Sequence, residues 1–123
     1  MKMFMLAGSV SAALAVAFGA FGAHALKARV EPAMLEVYQT AVQYHFYHAL
    51  GLFAVAAAHL PSGASGPVKW AGLAMIVGTV LFSGSLYVMS LSGQRWLGAI
   101  TPLGGTAFIA AWVLLAVAIV RGQ

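Results

Sequence analysis

Apolar runs long enough to cross a bilayer occupy nearly the whole of this 123-residue sequence, at about residues 3–26, 32–60, 68–91 and 102–120. A hydrocarbon core about 30 Å thick takes roughly 20 apolar residues per helix, so the chain has room for four spans and short loops. With 63% apolar and only 7% charged residues, a water-soluble globule could not cover its surface with polar groups. The expectation is an all-α fold, an integral membrane bundle of four transmembrane helices forming a single domain over residues 1–123.

The span boundaries carry their own signals. Glu31 precedes Pro32, a residue suited to a first helical turn, and the second helix should end at Leu60 before Pro61. Residues 61–67 read as a turn by composition, and Trp70 stands where an interfacial aromatic is expected. Thr101-Pro102 reads as an N-cap followed by proline at the first position of the fourth helix. Lys2 before an apolar stretch ending in Ala23-His24-Ala25 also fits a secretory signal peptide, but the run is much longer than the usual h-region of about 7–15 residues. Lys2, Lys69 and Arg121 flank one side, Lys27, Arg29 and Arg95 the other, so the positive-inside rule leaves orientation open.

The net charge of +4 comes from scattered residues, without the basic face that nucleic-acid binding needs. The absence of cysteine excludes disulfides, thiolate metal sites and cysteine nucleophiles. No HExxH, P-loop, dinucleotide fingerprint or G-x-S-x-G elbow occurs, so neither a metal nor a cofactor is expected.

Antiparallel threading would gather most polar groups at the end of the bundle formed by the first and third loops. Helix periodicity puts Tyr38, Ala41, His45, His48 and Leu52 on one stripe of the second helix and Glu36, Gln39, Gln43 and Tyr47 on roughly the opposite one. Ser83, Tyr87 and Ser90 share a face of the third helix and are natural hydrogen-bond partners for the first stripe. Two readings compete. Intramembrane ionisable groups point to function because leaving them unpaired is costly, yet histidines can be neutral core residues and serines ordinary glue between helices. The functional reading has His24, His45, His48, Ser83, Tyr87, Arg95 and Thr101 converging on one water-accessible pocket. Helix starts near it would favour an anionic group. Glu36 reads as an ion-pair partner of Lys27, Arg29 or Arg95.

On the first helix, Ser11, Ala15, Gly19 and Ala23 repeat every four residues, with Gly8, Ala12 and Gly22 alongside, an extended close-packing face for a helix of this chain or of a second copy. Self-association into a homo-oligomer is expected from it.

Residues 19–26 (GAFGAHAL), the 38–50 stretch, Phe82-Ser83-Gly84-Ser85-Leu86-Tyr87 and Thr101-Pro102-Leu103-Gly104-Gly105 resemble a family of small membrane proteins of unknown function, represented by YgdD-like proteins. The resemblance implies four spans and, for a bacterial source, the inner membrane. It implies no activity or catalytic residues.

The expected function is therefore that of a non-enzymatic membrane protein, in contact with lipid, which binds a small polar or anionic ligand or a lipid head group or helps assemble a larger complex. The alternative is an oligomeric transporter or channel. A membrane enzyme using His45 or His48 as acid or base is disfavoured by the shortage of intramembrane carboxylates.

Overall fold

A computed structural model describes residues 1–59 and 66–122. The described residues form helices only, arranged as four rods. The first is α1 (Lys2–Phe21), continued by a π-helical turn over Gly22–Leu26. The second is α2 (Pro32–His59). The third consists of α3 (Gly66–Gly78), a π-helical turn over Thr79–Ser83, and α4 (Gly84–Ser92). A 3-10 turn over Arg95–Ala99 leads into α5 (Thr101–Val120).

Boundaries follow from local chemistry. Pro32 opens α2 where its missing N–H has no helical partner to lose. Gly93 ends α4 because its φ of 76° is left-handed backbone that a side chain would strain. Two expectations change. Gly66 and Pro67 belong to α3 rather than to the preceding turn, whereas the expected helix end at Leu60 and the rest of that turn lie outside the described residues. Thr101 is not an N-cap: it is the first residue of α5, and its hydroxyl is turned to Ser85 and to the Leu97 carbonyl.

Three rods, Lys2–Leu26, Gly66–Ser92 and Arg95–Val120, are long and apolar enough to cross a membrane. The α2 rod does not meet that measure, which qualifies the expectation of four equivalent spans. Its polar content goes with its position: α2 packs against α1, α3, α4 and α5, and its buried face includes Tyr38, Ala41, His45, His48 and Leu52. That is the stripe read from the 3.6-residue period. Glu36, Gln39, Gln43 and Tyr47, on the other stripe, are exposed.

The interior divides along the rods. Towards the termini, Phe4, Leu52, Val55, Val68, Met75 and Leu115 anchor a fully apolar core. Towards the loops on either side of α2's start and after α4, the buried set includes His45, His48, Ser83, Ser85 and Ser90. Closest approach occurs where α5 meets the third rod, since a Cβ on Gly104 would lie 2.3 Å from the backbone nitrogen of Phe82.

The small-residue face of α1 is largely taken up within the chain. Ala15 is fully buried, and a Cβ on Gly8 would meet the Phe53 ring at 2.9 Å and the Ala49 carbonyl at 3.0 Å, both on α2. The face from which self-association was expected thus already has a neighbour.

Candidate functional site

The α1 rod packs chiefly along α2 and barely meets the third rod. A cleft therefore runs between α1 and the α3–α4 rod, with α2 as its floor. Phe4 over Gly72 closes it at the terminal end. Part-way along, the rings of Phe18 and Tyr87 meet edge-on at 5.0 Å and divide it into two chambers. The upper chamber, about 380 Å³, is lined by Phe18, Phe21, Tyr38, Tyr87 and Leu91. The lower, about 290 Å³, has Val10, Ser11, Leu14, His45, Thr79 and Val80 among its lining residues. Val10, Leu14, Phe21, Val80 and Leu91 are exposed, so both chambers open outward along the flank of the bundle.

The dividing cluster is held by hydrogen bonds between rods. Tyr38 donates its hydroxyl proton to the Phe18 carbonyl, tying α2 to α1. His45 Nδ1 lies 2.9 Å from the Tyr87 hydroxyl, tying α2 to α4. Tyr38 and Tyr87 contact each other edge-on at 5.3 Å.

His48 faces the other way. Trp112 Nε1 on α5 donates to His48 Nε2 at 3.0 Å, and His48 Nδ1 lies 2.7 Å from the Tyr44 carbonyl. Because the indole only donates and the carbonyl only accepts, His48 carries its single proton on Nδ1 and both ring nitrogens are occupied. Its ring stacks on Phe108 at 3.4 Å with 8° between the planes. An open groove of about 590 Å³ on this side is lined by aromatics including Tyr47, Phe82, Phe108 and Trp112, but its one histidine is already saturated.

The seven residues expected to share a pocket are thus distributed rather than gathered, and the single polar pocket is corrected to a set of pairs. His45 and Tyr87 meet at the cleft. His48 turns to α5. Ser83 donates to the Ala41 carbonyl at 2.8 Å. Thr101 pairs with Ser85 at 2.7 Å. His24 is exposed at the end of the first rod. Arg95 is exposed and pairs with Glu31 at 3.1 Å, so the acidic partner is Glu31 and not Glu36. The cause is energetic: in an apolar surrounding a polar group gains by pairing with a near donor or acceptor, and for His45, His48, Ser83 and Thr101 these lie on several different rod contacts.

Sequence reasoning left Trp112 out of the site because a lone tryptophan in an apolar run gives no sign of its partner. It also gave Ser11 and Thr79 no part in the site. Their signal was present as hydroxyls at mid-run on rods flanking His45. No group of three His, Cys, Asp or Glu positioned for a metal occurs among the described residues.

Comparison with known proteins gives a consistent family. Residues 18–105 match the family described as "Protein of unknown function (DUF423)". The chain is 51% identical over 121 residues to the UPF0382 membrane protein YwdK of Bacillus subtilis, covering 98% of each. It is 43% identical to the UPF0382 membrane protein SH2409 of Staphylococcus haemolyticus, over 94% of this chain and 93% of that one. Identity to the UPF0382 membrane protein SERP0230 of Staphylococcus epidermidis is 42%, over 98% of each. No solved structure matches. These matches overturn the YgdD-like assignment: the motif segments between residues 19 and 105 lie inside the matched stretch, but the family they mark is this one.

Proposed function

This chain belongs to the DUF423 family, a membrane protein of unknown function, and on that footing we propose that it is a non-enzymatic, lipid-binding protein that crosses the bacterial inner membrane four times. The ligand is an apolar, chain-bearing molecule held in the cleft between α1 and the α3–α4 rod. One observation carries this reading. The flank of the bundle is open between two rods, and the opening is lined by apolar and aromatic side chains around one hydrogen-bonded His–Tyr pair. Each chamber alone is near or just below the lower end of the roughly 300–1,000 Å³ typical of small-molecule sites, and the two joined fall inside that range.

Binding is favoured over chemistry because the other buried polar side chains, His48, Ser83, Ser85 and Ser90, are tied to carbonyls or to other side chains. Binding is favoured over transport because the terminal half is filled by apolar residues, several of them fully buried. α2 counts as a span despite its polarity, because its neighbours bury Tyr38, His45 and His48 and its remaining charged and amide groups lie in its first turns, towards the interface. The polar-ligand expectation gives way to a lipid because the cleft walls are almost wholly apolar.

Two measurements test the reading. Reporter domains joined after Arg29 and after Gln94 should lie on one side of the membrane, and reporters at the two termini on the other; any other distribution removes the four-span topology. Native mass spectrometry of the detergent-extracted protein should retain a lipid, and Leu14→Trp, which fills the lower chamber, should lose it. Equal retention by the variant would refute the cleft as the binding site.

A further inference from the structure

We infer that the lower chamber recognises the ring carbonyl of a membrane-soluble quinone-class lipid, with His45 and Ser11 donating hydrogen bonds to the carbonyl oxygen. The inference rests on the cleft being a lipid site and adds the chemistry of what the cleft selects.

The donor set follows from proton counting. The Tyr87 hydroxyl has one proton, and His45 Nδ1 at 2.9 Å is its partner among the described residues. If Nδ1 carried the imidazole proton, the Tyr87 proton would have no acceptor there, so Tyr87 donates and His45 keeps its proton on Nε2. The Nε2–H makes no hydrogen bond among the described residues, while His45 itself lines the lower chamber.

Ser11, from the facing rod, is the second donor. Ser9, Thr40, Thr79, Ser92 and Thr106 each donate to the carbonyl four residues before them. Ser11 does not, and its hydroxyl has no protein partner among the described residues. Thr79 spends its proton on the Met75 carbonyl at 2.9 Å and offers the chamber only lone pairs. The π-helical turn begins at Thr79, a local departure of the kind frequently found at binding sites.

Two donors lining one chamber from different rods suit an oxygen with two lone pairs and no proton. An alcohol would also need an acceptor for its own proton, for which the lining hydroxyls offer only the lone pairs of Thr79 and Ser11, whereas a carbonyl oxygen needs donors alone. A carboxylate or phosphate would bring a charge for which the chamber lining holds no cation. Depth narrows the class further. Ser11 lies about 13 Å along the helix from Lys2 at about 1.5 Å per residue, near the middle of a hydrocarbon core about 30 Å thick. Ester carbonyls of phospholipids stay at the interface with their head groups. A quinone has no charged head to hold it there, and its prenyl chain suits the aromatic upper chamber.

The test is photolabelling in nanodiscs of phosphatidylethanolamine and phosphatidylglycerol with a decyl-chain azidoquinone, adducts being mapped by mass spectrometry. Labelling is expected within residues 7–14 and 76–80, competed by unlabelled decylubiquinone but not by farnesol or oleate at equal membrane mole fraction. Ser11→Ala should weaken it about five-fold, the loss expected for one hydrogen bond, and His45→Phe by more, with His45→Gln restoring part through its amide N–H. Undiminished labelling in both Ser11→Ala and His45→Phe, or equal competition by farnesol or oleate, would overturn the carbonyl site while leaving a general lipid cleft standing. Labelling that survives Leu14→Trp would remove the cleft as well. If His45→Phe does not insert, Ser11→Ala decides alone, since it deletes one oxygen from the chamber wall.

Discussion

At the scale of single residues, His48, Ser83, Ser85 and Ser90 behave as matched partners. His48 has a donor on one nitrogen and an acceptor at the other. Trp112→Phe keeps a ring against it but strips the donor, which should cost about 1 kcal/mol, within the range found for hydrogen bonds between membrane helices. Unfolding by SDS titration in mixed micelles measures it; an unchanged midpoint would mean the bond contributes nothing. Arg95→Ala removes the Glu31 pair, whose side chains are 72% and 59% exposed. Stability should then change by no more than about 0.5 kcal/mol, with no further dependence on salt. A large loss would show that the pair holds the two loops together.

At the scale of elements, α2 is the helix on which the others assemble. A segment carrying Glu36, Gln39, Gln43, His45 and His48 is a poor guest in lipid on its own, and in the bundle its two histidines are buried by the neighbouring rods. In an insertion assay, residues 32–59 alone should integrate inefficiently, and preceding them with residues 1–31 should raise the inserted fraction. Full insertion of the isolated segment would contradict the shielding. Gly104→Val should prevent α5 from docking, since any Cβ there meets the Phe82 backbone; a variant with unchanged unfolding would sink that reading.

The same contrast explains what could be read from the sequence. The buried stripe of α2 follows from helical period alone, and so does the ability of Ser83 and Tyr87 to face it. Which rod sits beside which stripe does not. The Trp112–His48 bond, the Ser85–Thr101 pair and the choice of Glu31 over Glu36 are consequences of rod adjacency, which no local pattern encodes. The pocket expectation failed for that reason: it assigned residues of one half of the bundle to one centre without knowing their neighbours.

At the scale of the whole molecule, one half is packed by apolar contact and the other by polar pairs and rings. Met75 lies fully buried in the apolar half. Its replacement by alanine would cost about 2–5 kcal/mol in a soluble core. Here the unfolded reference is lipid as apolar as the core itself, so about 1–2 kcal/mol is expected, essentially the lost contacts. A loss of the full soluble size would show that this half unfolds into water. The outward opening of the cleft has a consequence for how occupancy is counted. A molecule entering sideways from the bilayer never passes through the aqueous phase, so its effective concentration is its mole fraction among lipids. Diluting a proteoliposome suspension with buffer should leave the bound fraction unchanged, whereas fusing the same vesicles with empty ones should empty the cleft in proportion to the lipid added.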